Sequence, residues 1–333
     1  MAELIFSCMS TATVSALPTL AQLESAAELV HRFVPPTLQY SWPLINARAG
    51  CEVWGKHENH TPIGAFKVRG GIIYMDWLRR SHPETKGIIS ATRGNHGQSL
   101  AFAARRFGFD AVLVVPHGNS REKNAAMRAL GAELVEHGED FHAADHHAHD
   151  LARDRKLVFI PAFDLLLVQG VASYALELFR GAPALDAVFV PIGWGSGACG
   201  VAAARNALNL KTRIIGVVSA SAPSYALSFA EGRIVEKKST TRIADGVAIA
   251  RAHPDAFEIL RHELDQVVEV TDDEVEDAMR VIFSDTHNIA EGAGAAALAA
   301  LLKNRESWRG KRVGVVVSGG NVDREVYARV IAG

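Results

Sequence analysis

Over most of its 333 residues the chain alternates short β-branched apolar runs with alanine-rich stretches whose apolar residues recur at helical spacing, and this predicts an α/β fold. Two further observations make the sheets mainly parallel. Several strand-like runs are apolar at every position, as in strands covered by helices on both faces. The glycine-rich polar segments follow strands, which is where an open parallel sheet gathers its ligand-binding turns.

In chain order, the first strand is Gly87 to Ser90, leading into a helix over Gly97 to Phe107. Ala111 to Val115 is the next strand, followed by a helix over Glu122 to Leu130, and Leu157 to Ile160 precedes a helix over Gln169 to Phe179. Ala187 to Val190, Ile214 to Val218 and Arg312 to Val317 are further strands, and helices fill Asp272 to Asp285 and Gly294 to Lys303. No internal repeat or low-complexity linker interrupts this order.

The length and a hydrophobic content of 48% suit a large core shared between two lobes. Lysine plus arginine at 35 nearly balances aspartate plus glutamate at 37, so no net field favours nucleic acid or an anionic membrane. A small-molecule partner is expected instead. Cys8, Cys51 and Cys199 are odd in number and unpatterned, which argues against a disulfide framework or a cysteine-rich zinc site and fits a reducing cytoplasm. The first twenty residues lack the basic start of a secretory signal, and no apolar run approaches the ~20 residues of a spanning helix. Met9 is a candidate alternative start, which would make residues 1–8 a tag or a frayed extension.

Four segments carry the chemistry. In the first, residues 59–71, Lys67 sits between a Pro/Gly turn and a helix start, where a lysine can form an imine; taken alone, a solvated basic residue at a helix terminus reads equally well. The second, Ser90 to Gln98, follows a strand and opens a helix, so its free backbone N–H groups suit a carboxylate or phosphate. In the third, Val190 to Gly197, glycines at alternate positions let the backbone wrap an anion. Neither a G-x-G-x-x-G fingerprint nor a P-loop is present, which removes support for nicotinamide and nucleoside-triphosphate ligands. The fourth, Val315 to Asn321, ends a buried strand with the Ser318 hydroxyl at its tip, and Ala244 to Val247 supplies another turn.

In this order the segments resemble those of fold-type II pyridoxal phosphate (PLP) enzymes, the serine/threonine dehydratases and serine racemases, whose fold is tryptophan synthase β-like. The resemblance runs from the N-terminal helix to Asp323. It implies two lobes, a large one of residues 1–75 and 158–333 and a small inserted one of 76–157, each a mainly parallel sheet with flanking helices. It implies that Lys67 carries the cofactor, that Phe66 packs beside its ring and that Asn95 bonds its 3-hydroxyl oxygen. It further implies that Gly193, Trp194, Gly195, Ser196 and Gly197 hold the phosphate, that Gly246 lies near the ring and that Ser318 meets the pyridine nitrogen. Thr92, Gly94, Asn95 and His96 would bind the substrate carboxylate. The implied activity is an ammonia-lyase acting on an L-β-hydroxy-α-amino acid, threonine or serine by default, in a homodimer. Phenylserine and 3-hydroxyaspartate are alternative substrates; racemisation, β-replacement and non-catalytic binding are alternative roles.

The residues add a chemical argument. A serine hydroxyl is too weak an acid to protonate the pyridine nitrogen, which favours elimination over transamination, and Lys67, once displaced, is the nearest base for the Cα proton.

The chain departs from the family pattern in several places. A run of four glycines becomes Gly193-Trp194-Gly195-Ser196, and Thr-Gly-Ser-Phe-Lys becomes Ile63-Gly64-Ala65-Phe66-Lys67. Where racemases place a second base stands Arg93, which stays protonated, so two-base racemisation is not expected; a surface pairing or a contact to an acidic substrate is open to it. Ser219 to Tyr225 carries no acid where the family binds a divalent cation, so no metal is expected there. His142, Asp145, His146, His147 and His149 read as a solvated helix face. Asp245, Glu291 and Asn321 read as turn-tying structural residues outside the catalytic set. Control by a distant amino acid is not expected.

Overall fold

The computed structural model describes residues 17–333; Cys8 and Met9 lie outside them. In chain order the elements are α1 (Leu20–His31), β1 (Gln39–Ser41), α2 (Pro43–Ala49), β2 (Glu52–His57), α3 (Val68–Ser81), β3 (Gly87–Ala91), α4 (Asn95–Phe107), β4 (Asp110–Val115), α5 (Arg121–Ala129), β5 (Glu133–Glu136), α6 (Phe141–Arg155) and β6 (Val158–Phe159). They continue as α7 (Leu165–Gly181), β7 (Ala187–Pro191), α8 (Ser196–Ala207), β8 (Arg213–Ser219), α9 (Ser224–Glu231), α10 (Pro254–Glu263), β9 (Gln266–Val270), α11 (Asp272–Thr286), α12 (Gly292–Lys303), β10 (Arg312–Val317) and α13 (Arg324–Ala332).

Two sheets organise the chain. One has six strands in the order β1-β2-β10-β7-β8-β9, parallel except for β1 against β2. The other has four parallel strands in the order β5-β4-β3-β6. The expected parallel α/β class is what the structure has. β6 pairs with β3, so Val158 and Phe159 lie in the four-stranded sheet, although the sequence pattern ends the small lobe at residue 157. A two-residue strand carries too little pattern to mark which sheet it joins.

Both sheets are covered on both faces, and the alternation along single strands shows how. Val315 and Val317 pack with α11 and α12, while Val316 packs on the other face with α7 and α8. In the smaller sheet Ile88, Leu113 and Val115 face α3 and α4, and Ile89, Val112 and Val114 face Ala144, Ala148 and Ala152 of α6. Each such side chain contributes roughly 1.5–3 kcal/mol relative to exposure. The six strands expected from apolar runs all form, within about two residues at each end. β1, β2, β5 and β9 went unread because their polar positions break the pattern; in β2, Lys56 and His57 are buried.

Helix α3, which begins directly after Lys67, is seated by contact with α7. A Cβ at Gly70 would lie 2.8 Å from the Leu167 carbonyl oxygen, and one at Gly170 would lie 2.3 Å from that of Arg69. Only glycine permits this approach. At Arg69, the residue before Gly70, the same crossing is locked by charge: the guanidinium is fully buried and meets Glu58 and Glu177.

Candidate active site

Parallel register brings the carboxyl ends of β10 and β7 to one edge, so the turns that follow them, Ser318 to Asn321 and Gly193 to Gly197, leave from the same edge. The loop leaving β2 is stitched to the same place. Thr61 Oγ1 both donates to the Ala65 carbonyl at 2.8 Å and accepts from its N–H at 2.9 Å. Phe66 N–H donates to Ser318 O at 3.1 Å, Gly320 N–H donates to Gly64 O at 2.9 Å, and Asn321 Nδ2 donates to Ile63 O at 2.8 Å. Lys67 and Ser318 are thereby neighbours in space.

The Lys67 amine lies in this cleft, 5.2 Å from the centroid of the Phe66 ring. Burial, with no carboxylate in compensation, pushes its pKa down to about 8. A substantial share of it is therefore a free nucleophilic amine at mildly alkaline pH. Phe66 is held edge-on by Tyr174, whose hydroxyl donates to Gly197 O at 3.0 Å, so lysine loop and glycine loop are tied through one aromatic pair.

The glycine loop enters α8, whose first N–H groups have no partner within the helix and which presents the positive end of its dipole. A Cβ at Gly193 would lie 2.2 Å from Gly246 O, which places Gly246 beside the loop and keeps the cradle free of side chains at that point. Ser196 is buried at the helix start. Trp194 directs its ring against Phe141 of α6, with centroids 5.8 Å apart, so it bridges the two sheets' sides of the cleft. Ser318 Oγ donates to Ala293 O at 3.4 Å and carries no charged partner.

Across the cleft, Thr92 Oγ1 accepts from the N–H groups of Gly94 and Gly97, each at 3.0 Å, so this hydroxyl shapes its own loop. His96 is buried; desolvation, and then the Lys67 charge, push it down to about 3, which keeps it neutral, and its Nε2 has no partner. Asn95 donates from Nδ2 to Glu291 Oε1 at 2.5 Å and accepts at Oδ1 from Asn321 Nδ2 at 2.8 Å. Arg93 is exposed.

Contacts thus join several of the residues singled out for the cofactor: Phe66 meets Ser318, Tyr174 ties Phe66 to Gly197, and Gly193 lies beside Gly246. Lys123, on α5, was missed: within Arg121-Glu122-Lys123-Asn124 it looks like any solvated helix face, yet it is 8% exposed and pairs with Glu291 at 3.2 Å. Glu291 and Asn321, read as structural, touch Asn95 directly. Near β8, Tyr225 is buried, and its hydroxyl donates to Trp194 O at 3.5 Å. Among the described residues no group of three or more His, Cys, Asp or Glu converges as a metal site. On α6, His149 and His146 each pair with one aspartate, at 3.8 and 3.4 Å, and His147 stacks on His137.

A low-pKa amine, an anion cradle at a helix start and an uncharged hydroxyl on one cleft suit an aldehyde that carries a phosphate and a ring nitrogen. The buried, unpartnered His96 Nε2 and the cradle that a Cβ at Gly193 would fill are consistent with such a group. Comparisons with known proteins agree. The chain is 33% identical over 316 residues to an L-threonine ammonia-lyase of Thermotoga maritima, covering 94% of this chain and 78% of that one. It is 30% identical over 318 residues to an L-threo-3-hydroxyaspartate ammonia-lyase of Saccharomyces cerevisiae, covering 95% and 97%. Maize serine racemase superposes with a TM-score of 0.88 at 27% identity, over 95% of this chain and 98% of that one. Residues 32–319 match the family model described as pyridoxal-phosphate dependent enzyme, and the chain belongs to that family.

Proposed function

We propose that the protein is an ammonia-lyase that converts an L-β-hydroxy-α-amino acid, L-threonine or L-serine by default, to the 2-oxo acid and ammonia. The observation that carries this reading is the Lys67 amine, desolvated and with its pKa lowered to about 8, on a loop whose Phe66 N–H bonds Ser318 O and whose Phe66 ring is tied through Tyr174 to Gly197. When bound, pyridoxal phosphate withdraws electrons from the substrate's Cα, which acidifies its proton and lets the β-hydroxyl leave.

The chain's own residues supply the rest. Lys67 Nζ, with its pKa lowered by burial, takes the Cα proton. N–H groups at the start of α8 and the flanking glycines hold the phosphate. Ser318 keeps the ring nitrogen uncharged, which disfavours transamination. The loop Thr92 to His96, at the start of α4, receives the substrate carboxylate, with His96 neutral beside it. The likeness to the L-threo-3-hydroxyaspartate ammonia-lyase supports a second reading, 3-hydroxyaspartate as substrate, and Arg93, a permanent cation, opposes two-base racemisation.

The test is release of 2-oxo acid and ammonia from L- and D-threonine, L- and D-serine, threo- and erythro-3-hydroxyaspartate, and phenylserine. Equimolar products from one of them names the substrate; visible cofactor absorbance with no product from any moves the reading to β-replacement or binding alone. Gly193→Val should weaken cofactor retention on gel filtration by roughly tenfold or more, about 1.4 kcal/mol, because its branched side chain collides with Gly246 O.

We place the lobe boundary on the two sheets, with residues 76–157 as the core of the small lobe. The assembly we propose is a homodimer, supported by the exposed Leu38, Tyr40 and Leu44 on and beside the edge strand β1. A cytoplasmic location is supported by the unpaired thiols of Cys51 and Cys199. Among the described residues no helix is long and apolar enough to cross a membrane.

A further inference from the structure

Lys123 belongs to the side of the four-stranded sheet, and its partners belong to the other. Its stem lies against the carboxylate-binding loop: a Cβ at Gly94 would come within 2.5 Å of Lys123 Cδ. Its ammonium reaches Glu291 Oε2 at 3.2 Å and Asp245 Oδ2 at 3.8 Å. Glu291, 4% exposed, is the N-cap residue of α12 and spends its other oxygen on Asn95 Nδ2. Asn95 Oδ1 is taken by Asn321 Nδ2, whose second bond goes to Ile63 O in the lysine loop. The start of α5 is pinned to the same far side by Ser120 Oγ donating to Asp323 Oδ1 at 2.5 Å and by Arg324 N–H donating to Glu122 Oε1 at 2.9 Å.

An amide can turn over, exchanging its oxygen and nitrogen, unless its partners forbid it. Here a carboxylate faces the Asn95 nitrogen and an amide nitrogen faces its oxygen, so one orientation satisfies both. The carboxylate is buried, and a buried charged group needs a partner to hold it. The Glu291 side of this arrangement depends on a cation delivered from the opposite lobe.

We propose that Lys123 is a positioning residue: by pairing with Glu291 across the cleft it holds that carboxylate in place, and so fixes the amide of Asn95 toward the bound cofactor. This rests on the pyridoxal phosphate reading and on Asn95 as a cofactor contact. Removing the charge of Lys123 frees Asn95 to turn, which changes the hydrogen bonding at the cofactor without touching Lys67.

The experiment compares holoenzyme of wild type, Lys123→Met, Lys123→Arg, Glu291→Gln and Asn95→Ala by visible absorbance, steady-state kinetics and thermal melting. Lys123→Met and Glu291→Gln should move the visible band in the same direction as Asn95→Ala. Each should lower kcat roughly tenfold with KM changed by less than about threefold. Lys123→Arg should return the band to its wild-type position, and Lys123→Met added to Asn95→Ala should change nothing further. If Lys123→Met does not fold, Glu291→Gln, which keeps the side chain's shape, tests the same pairing from its other end. A Lys123→Met enzyme with the wild-type band and kcat overturns the proposal. So does a loss of kcat that follows a lowered melting temperature with the band unmoved, the signature of a strut between lobes. A visible band that survives Lys67→Ala would instead locate the failure in the cofactor reading, and an unmoved band in Asn95→Ala would locate it in the Asn95 contact; either outcome overturns the proposal too.

Discussion

Lys67→Ala should abolish the visible absorbance of the bound cofactor and lower kcat by at least about 10²–10⁴-fold, the range that a positioned acid–base group supplies. The side chain is both the attachment point and the nearest base, so the two losses should arrive together. Binding need not vanish, because the cradle at α8 and the Ser318 side remain intact; cofactor should still associate, without the lysine-bound spectrum. Thermal melting should change little or rise, since the native amine is buried without a carboxylate and its pKa is held at about 8. Absorbance and equilibrium dialysis on the same sample check both halves. Turnover by the alanine variant at the wild-type rate would remove Lys67 from the mechanism.

The largest effect on stability should come from Arg69→Met. Arg69 meets Glu58 through Nε at 2.7 Å and Nη2 at 2.9 Å, and Glu177 through Nη1 at 2.6 Å and Nη2 at 3.0 Å. Lys56 completes the cluster, with Nζ 2.6 Å from Glu177 Oε2. Two cations thus face two carboxylates, all of them at most 9% exposed. Deleting Arg69 leaves one buried carboxylate uncompensated, which costs on the order of 3–5 kcal/mol. Arg80→Ala, which breaks the exposed pair with Asp76, should cost less than about 1 kcal/mol. Chemical denaturation of the two variants checks the contrast; equal effects would refute the burial argument. Since α3 starts immediately after Lys67, Arg69→Met should also lose activity.

The same cluster sets an acid limit. Despite desolvation, which acts the other way, Arg69 and then Lys56 push Glu177 down from 4.5 to about 2. A depressed folded-state pKa stabilises above the unfolded value and loses that contribution as pH falls, here from 4.5 toward about 2. His57, pushed down from 6.5 to about 4 mainly by desolvation, has the same sign and begins the loss earlier. Unfolding free energy should therefore decline from about pH 6.5 downward, with a steeper fall below 4.5. A stability profile flat to pH 4 would contradict both assignments.

How much of this was legible follows from particular residues. The all-apolar runs at Ala187 to Val190 and Arg312 to Val317 announce buried parallel strands because each residue's environment repeats along the strand. Ser90 to Gln98 and Val190 to Gly197 announce anion turns because the glycines they need are local. β9, by contrast, has an alternating pattern short enough to pass for a loop, and Lys56 and Glu58 look like surface residues although they are buried. Lys123 gave no signal at all.

The sequence by itself determined the α/β class, most of the strand positions, and the set of turns able to carry an amine, an anion cradle and a neutral hydroxyl, since each depends on contacts within one short segment. Only the tertiary structure decided that the lysine loop bonds Ser318 through Phe66, that Arg69 is buried between two carboxylates, and that Lys123 reaches Glu291 and through it Asn95. Those are pairings between segments far apart in the chain, and a charged side chain's burial is set by the partner that meets it, which no local pattern records.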